Sequence, residues 1–171
     1  MLVAQQKKKE NIVEYLLYMW QVEELLRACQ FDMQAVEVHL LSKYEQPEPV
    51  MQEIRRWYQE LIDRMREEDV TQKGHLQQNK AIVAELTARH EQLLHAPHET
   101  VYGSLYYKVL PAIVQLRSQA GNDRTSEIET CLTAIYGYFL LKMQAKEISA
   151  ETTESVRDIS RLLSFLAAKW Q

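Results

Sequence analysis

The stretch PVMQEIRRWYQELIDRM, residues 49–65, decides the fold class of this chain. Its apolar residues recur in alternating steps of three and four, which is the spacing of one face of an α-helix. They are Met51, Ile54, Tyr58, Leu61 and Met65. The positions between them are mostly charged or amidic, as on a face that contacts solvent. The stretch therefore predicts a helix that is buried along one stripe.

Glycine and proline are scarce outside this stretch as well. The 171 residues include 4 glycines and 4 prolines, whereas average usage gives about twenty of the two together. Sheet proteins need many turns, and turns need residues that tolerate special backbone angles. We therefore predict an all-α protein, a single compact bundle of about six to seven helices spanning residues 1–171.

Helical periods and their breaks divide the chain into segments. The predicted segments are a central helix at about 5–29, a short helix at about 32–44, a helical hairpin at about 49–95, and helices at about 99–119, 123–146 and 150–170. Capping signals mark several ends: Asp32, Gly74 at the hairpin turn, Gly121 with Asn122, Ser126 with Glu129, and Ser149. The helices are thus delimited by ordinary stop and start signals.

The fifth segment, about 99–119, is apolar or aromatic nearly all round. Its polar residues and its proline fall on one narrow line: Ser104, Lys108, Pro111, Gln115 and Ser118. A helix that is apolar round most of its circumference is normally buried. We therefore predict that this segment and the first one lie near the centre of the bundle, with Pro111 on the solvent side.

Bulk charge and cysteine usage limit the classes of function. A net charge of −4 argues against general attraction to nucleic acid or to anionic membranes. Cys29 and Cys131 lie far apart in apolar helical stretches, which favours two buried free thiols in a reducing compartment. Lys7–Lys9 precede an apolar stretch, but Glu14 interrupts it, so we predict a cytoplasmic protein without a signal peptide or membrane span.

Glu23 is an anomaly, because the helical period places it among Leu16, Met19 and Leu26. A buried carboxylate needs a partner, so we expect either an ion pair with Arg27, one turn later, or a partner from another helix. Such a carboxylate can line a ligand pocket. It can equally belong to a structural ion pair, which is the interpretation we favour.

Aromatic side chains are concentrated in the fifth and sixth segments: Tyr102, Tyr106, Tyr107, Tyr136, Tyr138 and Phe139. Together with Ser104 and Lys108 they could form a pocket with polar groups, and Gly137 would let a ligand or another backbone approach closely. The alternative, which we favour, is an ordinary core in which each hydroxyl finds a partner. The candidate ligand-binding residues are Glu23, Arg27, Tyr102, Tyr106, Lys108 and Tyr136.

Three histidines invite a metal hypothesis. His90, His95 and His98 lie close in sequence, together with Glu91. They match neither the zinc-protease spacing nor the Glu-x-x-His pair of di-iron bundles, and Pro97 breaks the helix between the last two. We therefore predict no metal and no cofactor, and we expect His90 to be a hydrogen-bonded residue at the edge of the core. Nucleophile motifs, glycine-rich phosphate loops and zinc-spaced cysteine pairs are also missing, so no catalytic residue is assigned.

Several stretches resemble one family along the whole chain. They are Ala4–Ile12 with Glu14-Tyr15 and Leu17–Gln21, then Gly74–Gln77, Glu127–Glu129 with Tyr136-Gly137, and Ile148-Ser149 with Glu151-Thr152. The resemblance is to a family of small, uncharacterised bacterial proteins classed as a domain of unknown function. It implies a compact all-helical single domain, and it implies no activity, cofactor or site residue.

The sequence supports two main hypotheses about function. The first is a non-catalytic helical module that acts through protein–protein contact, with another protein or as a homodimer. It predicts an exposed apolar patch on the last helix or on the hairpin. The second is a small-ligand-binding protein or an enzyme with an aromatic pocket between the fifth and sixth segments, which predicts a cavity with convergent polar groups. Weak nucleic-acid binding ranks third, because it would need a continuous positive face.

Overall fold

Helices account for nearly all regular structure in this protein. The computed structural model describes residues 2–121 and 124–170, and within those ranges it contains eight α-helices and no strand. They are α1 (Leu2–Glu10), α2 (Ile12–Ala28), α3 (Met33–His39), α4 (Glu48–Glu67), α5 (Gln77–His95), α6 (Thr100–Ala120), α7 (Glu127–Met143) and α8 (Ala150–Ala168). The predicted all-α class is confirmed, with one or two helices more than expected.

The extra helix arises at Asn11, inside the predicted first segment. Asn11 has an extended backbone, and its side chain accepts hydrogen bonds from Val13 N–H and Glu14 N–H at 3.0 and 3.2 Å. An asparagine in this role caps a new helix. The expectation of one continuous helix at about 5–29 was therefore wrong, because the Asn11 cap separates α1 from α2.

Most of the other predicted ends are confirmed. Asp32, Ser126 and Ser149 cap α3, α7 and α8 with their side chains. Gly74 and Gly121 have positive φ angles of 94° and 63°, which glycine adopts without strain. Asn122 and residue 123, where the sixth segment was expected to begin, lie outside the described residues.

The chain divides into two compact units, Met1–Ala81 and Ile82–Gln171, so the boundary falls within α5. The first unit contains α1 to α4, a 3₁₀ turn at Leu41–Lys43, and the first residues of α5. α2 has buried residues on several sides, as predicted. The largest fully buried side chains of this unit are Ile12, Leu16, Met19, Leu26, Leu41, Ile62, Met65 and Leu76.

The second unit contains the remainder of α5 with α6, α7 and α8. Helix α6 packs against both α7 and α8, which also pack against each other. Its largest fully buried side chains are Leu86, Tyr102, Ile113 and Ile128. On α8 the apolar stripe Ile159, Leu163 and Leu166 is buried, whereas Arg157 and Arg161 are exposed, as expected for a one-faced helix.

Helix α6 is less buried than its composition predicts. Only Tyr102, Val109 and Ile113 are buried, whereas Tyr107 is 71% exposed and Val114 59% exposed. Pro111 does lie at the surface, as expected. The prediction that α6 is buried on most of its surface was wrong, because its neighbours cover only one side of it.

Candidate functional site

Glu23 is a buried carboxylate of the first unit with several hydrogen-bond partners, and its side chain is 1% exposed. One oxygen accepts hydrogen bonds from the Asn79 amide at 2.8 Å and from Leu76 N–H at 3.2 Å. The other lies 2.7 Å from His75 Nδ1, and the His75 ring stacks on Trp20 at 4.3 Å. Since Leu76 directly precedes α5, Glu23 satisfies a donor that a helix N-terminus leaves unpaired. Negative charge at that end is also favoured by the helix dipole.

Arg27 does not pair with Glu23 in the described structure. Its guanidinium bonds the Val70 carbonyl at 2.9 Å and the Gly74 carbonyl, and it forms an ion pair with Glu24. The expected Glu23–Arg27 pair is therefore wrong, and the other expectation, a partner from another helix, is confirmed. Glu23 and Arg27, on successive turns of α2, thus both bind the segment that connects α4 to α5. Both residues therefore have a structural role.

A second polar cluster lies inside the second unit, around His90. His90 is 3% exposed, and its Nδ1 lies 2.6 Å from the hydroxyl of the fully buried Tyr102. The rings of Tyr102 and Tyr106 meet the His90 ring edge-on, and the carboxylate of Glu127 contributes to raising the pKa of Tyr106. The expectation of a hydrogen-bonded core histidine is confirmed.

Burial controls the protonation of this cluster. It lowers the pKa of His90, raises the pKa of Tyr102, and raises the pKa of Tyr106 and of the Cys131 thiol each to about 12. At neutral pH the imidazole, both phenols and the thiol are therefore uncharged. None of them is activated as a nucleophile, because a reactive cysteine or tyrosine requires a lowered pKa.

The remaining predicted site residues are scattered. Lys108 is exposed and lies 3.4 Å from Asp158 in an ion pair, and Tyr136 is half-buried. Glu23 and Arg27 belong to the first unit, whereas the three tyrosines and Lys108 belong to the second. The structure brings Tyr102 and Tyr106 together against His90.

A surface groove lies instead along α6, α7 and α8, with a volume of about 1070 Å³. Small and aliphatic side chains form much of its lining: Ala112, Leu116, Ala120, Ala134, Gly137, Leu140, Leu141, Val156 and Ile159. Polar side chains include Gln115, Gln119, Thr125, Thr133, Gln144, Thr152 and Ser155. None of the six candidate ligand-binding residues contributes to this lining. Protein contact surfaces likewise combine apolar and polar side chains.

Gly137 is the groove residue for which the sequence provided a signal. It lies within α7, where glycine is unfavourable, and a Cβ atom built on it meets nothing within 4 Å. The helix therefore presents bare backbone to the groove at this point. The expectation that something could approach closely at Gly137 is consistent with this open space.

Exposed apolar side chains occur on the same two helices. Phe139 is 48% exposed and Met143 72% exposed at the end of α7, and Val114 is exposed on α6. Among the described residues, no large apolar side chain of α4, α5 or α8 is comparably exposed. The predicted position of the apolar patch, on the last helix or the hairpin, was therefore wrong.

The histidine cluster does not assemble into a metal site. His95 Nδ1 bonds the Glu91 carbonyl at 2.8 Å, and His98 is exposed. In the described part of the chain, no three His, Cys, Asp or Glu side chains come together in an arrangement that could hold a metal ion. Nor does any described helix combine the length and apolar character that crossing a membrane requires.

One family model matches residues 1–171, and its description is Domain of unknown function (DUF4924). The chain belongs to this family. The family resemblance noted in the sequence is thereby confirmed over the whole chain, although the match assigns no biochemical activity. No curated protein and no solved structure matches the chain significantly.

The His90 cluster predicts a pH dependence of stability for this DUF4924 member. Burial lowers the pKa of His90 in the folded protein, whereas in the unfolded chain this histidine has the usual pKa of about 6.5. As the pH falls through that value, the unfolded chain therefore binds more protons than the folded protein does. The free energy of unfolding therefore falls as the pH drops from about 7.5 to about 5.5, by at most about 1.4 kcal/mol per pH unit for this one group.

Denaturant unfolding of the wild type, His90→Gln and His98→Gln at several pH values measures this effect. His90→Gln should show a shallower pH dependence than the wild type. His98→Gln, altered at an exposed histidine, should retain the wild-type dependence. Equal pH dependence in the wild type and His90→Gln would contradict the assignment.

Proposed function

We propose that this protein is a non-catalytic helical interaction module that binds another polypeptide, a different protein or a second copy, through the α6–α8 groove. The observation that carries the proposal is the groove itself, whose lining is largely small and aliphatic and includes Leu140, which is 39% exposed. Contiguous apolar surface of this kind marks interaction sites in soluble proteins.

The size of the groove favours a polypeptide over a small molecule. Pockets for small ligands measure about 300–1000 Å³ and enclose most of the ligand. This groove, at about 1070 Å³, is at the upper end of that range, and it follows α7 and its C-cap from Glu129 to Gln144. At about 1.5 Å per residue, that helix section is about 22 Å long. A long, open channel fits a segment of chain better than a compact metabolite.

The titratable groups of the groove support a non-catalytic role. Its described lining contains Arg117, Glu129, Tyr138 and Glu151, and no histidine or cysteine. The two carboxylates lie in the first turns of different helices, α7 and α8. Acid–base catalysis commonly uses a histidine, or two carboxylates held at one reacting bond.

We further propose that the protein acts in the cytoplasm. Cys29 and Cys131 are both free and buried. Small proteins from oxidising compartments more commonly use their cysteines in disulfides. Two unpaired thiols in helical cores therefore support a reducing environment.

Site-specific photo-crosslinking in the cells that naturally contain the protein tests the proposal. A photoreactive amino acid at Thr133, exposed at the groove, should form a discrete adduct with a protein. The same group at Ser164, exposed on α8 and outside the groove lining, should not. An adduct of twice the chain mass would identify the partner as a second copy.

Two helical glycines provide a matched control for this experiment. Gly137→Leu places a side chain in the groove, whereas Gly103→Leu makes the same change on α6 outside the groove lining. A Cβ atom at either position meets nothing within 4 Å, and leucine favours helix over glycine by about 0.5–1 kcal/mol. Both variants should therefore fold at least as stably as the wild type.

The Thr133 adduct should fall at least about tenfold in the Gly137→Leu background and persist in the Gly103→Leu background, since only the first change fills the binding surface. An adduct that survives Gly137→Leu unchanged would contradict a role for the groove. Equal adducts from Thr133 and Ser164 would show nonspecific contact instead.

A further inference from the structure

We propose that the interior of the second unit binds one structural water molecule, which accepts a hydrogen bond from His90 Nε2–H and donates one to Glu127 Oε2. Neither residue belongs to the lining of the α6–α8 groove, so this site is independent of the proposed function. Three observations support it: two buried polar atoms that no described residue bonds, the packing that brings them together, and the hydrogen bond of Tyr102.

Two polar atoms in the interior of this unit lack a protein partner. His90 Nε2 and Glu127 Oε2 are both shielded from solvent, and neither has a hydrogen-bond partner in the part of the chain that the structure describes. The whole His90 residue is 3% exposed, so bulk solvent does not supply the partner of its ring nitrogen. A buried polar group left unpaired is costly, and native proteins commonly satisfy such groups with ordered water.

Helix packing places the two atoms in the same region. Ser126 caps α7, and its Oγ lies 3.2 Å from Thr87 Oγ1 on α5. Glu127 directly follows Ser126, and His90 lies about one turn of α5 beyond Thr87. Tyr106 contacts the same turn, since its ring centroid is 5.2 Å from that of His90. The first residue of α7 therefore lies beside the turn of α5 that carries His90.

The electrostatic effects of Glu127 agree with this position. Burial raises the pKa of Tyr102 and of Tyr106, and the carboxylate of Glu127 adds to both shifts. Burial lowers the pKa of His90, and the same carboxylate opposes that shift. Because interactions between charges weaken with distance, Glu127 lies close to all three rings.

A bridging molecule is needed because the two atoms do not bond each other. A direct hydrogen bond would give both His90 Nε2 and Glu127 Oε2 a partner, and neither has one within residues 2–121 and 124–170. Water forms hydrogen bonds of about 2.8–3.0 Å on each side, so one molecule joins atoms as far as about 6 Å apart. Buried water in proteins ordinarily has about two to four polar partners of this kind.

The chemistry of the site selects water over other small ligands. The Glu127 carboxylate disfavours an anion at this point. A metal ion needs several ligands, and no three His, Cys, Asp or Glu side chains of the described residues are arranged to hold one. Water is neutral, it both donates and accepts hydrogen bonds, and it matches the small voids of packed interiors.

Tyr102 determines the direction of the hydrogen bonds. It is 0% exposed, and the one side-chain hydrogen bond of its hydroxyl among the described residues joins it to His90 Nδ1, at 2.6 Å. If Nδ1 carried the ring proton, the Tyr102 oxygen would only accept, and its own O–H would be unpaired in the core. Tyr102 O–H therefore donates to Nδ1. The uncharged His90 ring then carries its proton on Nε2, which donates to the water, and the water donates to Glu127.

High-resolution crystallography and NMR of the wild-type protein test the proposal. We expect an ordered water within about 3.2 Å of both His90 Nε2 and Glu127 Oε2. In NMR spectra at neutral pH, Nε2 should have the chemical shift of a protonated ring nitrogen and Nδ1 that of an unprotonated one. The Nε2 proton should also show a cross-peak to a long-lived water. A direct bond between the two atoms, the opposite tautomer, or no water at the site would overturn the proposal.

Two glutamates in the first turn of α7 provide matched variants, since either change to leucine removes one negative charge from that turn. Glu127→Leu removes a partner of the water and should reduce the cross-peak between the His90 ring proton and water at least about fivefold. Glu129→Leu should leave the cross-peak unchanged. An unchanged cross-peak in Glu127→Leu would overturn the role of Glu127. If Glu127→Leu fails to fold, the wild-type measurements decide the proposal.

Tyr102→Phe tests the direction of the hydrogen bonds. It removes the donor to His90 Nδ1, so the preference for a proton on Nε2 should weaken, and a mixture of both tautomers should replace the single one. A tautomer ratio identical to that of the wild type would contradict the assignment of Tyr102 as the donor.

Discussion

Alanine in place of Glu23 is expected to lower the free energy of unfolding by about 3–5 kcal/mol, the usual loss when one partner of a buried charged network is removed. The carboxylate is 1% exposed and contacts His75, Leu76 N–H and the Asn79 amide. Its loss leaves Leu76 N–H and the Asn79 amide, both in residues that are 0% exposed, without this acceptor, whereas the 30% exposed His75 side chain can reach water. Urea denaturation measures the effect, and fluorescence of Trp20, which stacks on His75, reports on the same region.

Two further variants serve as comparisons for Glu23→Ala. Glu23→Gln keeps one oxygen for Asn79 and Leu76 N–H but removes the charge beside His75, so it should lose about 1–2 kcal/mol. Glu24→Ala, one residue away, removes only a largely exposed carboxylate and should change stability much less. A Glu23→Ala protein as stable as the Glu24→Ala protein would contradict the assignment of Glu23 as the cap of α5.

Alanine in place of Tyr102 is expected to lower the free energy of unfolding by about 3–5 kcal/mol, as for other fully buried aromatic residues. Tyr102 is 0% exposed, packs against Phe165 and bonds His90. Tyr102→Phe removes only the hydroxyl and should lose about 1–2 kcal/mol, because His90 Nδ1 is left without its partner. Denaturant unfolding of the purified variants measures both.

Tyr107 supplies the control on the same helix. It is 71% exposed, so Tyr107→Ala should change stability by no more than about 0.5 kcal/mol. If Tyr102→Ala and Tyr107→Ala lower the free energy of unfolding by similar amounts, the assignment of Tyr102 to the buried face of α6 and of Tyr107 to the exposed face is wrong. If Tyr102→Phe leaves the free energy of unfolding unchanged, the hydrogen bond to His90 does not contribute to stability, and Tyr102 stabilises the core through packing alone.

Local signals in the sequence predicted the ends of helices more accurately than they predicted how much of each helix is buried. Ser126, Ser149 and Gly121 act within one turn of their own helix, so nearby residues suffice to predict them. Asn11 followed by Glu14 carries a similar signal, and reading it as a cap would have separated α1 from α2. The apolar composition of α6 was misleading, because it does not show how many neighbours cover a helix.

The candidate site shows the same contrast. The helical period correctly placed Glu23 inside α2, since position on a helix face follows from spacing alone. The sequence did not identify His75 and Asn79 as its partners, because they lie more than 50 residues away along the chain. Gly137 was singled out as a point of close approach. The rest of the groove lining had no local signal, since ordinary alanines, threonines and glutamines form it.

The amino-acid sequence by itself determined the all-helical class, most helix ends and the residues that face inward on α2 and α8. These properties depend on spacing and on backbone preferences within a few residues. Only the tertiary structure decided which donors surround Glu23, which side of α6 is covered, and where α6, α7 and α8 leave a groove. Those properties depend on contacts between distant segments, and identical local patterns are compatible with many such arrangements.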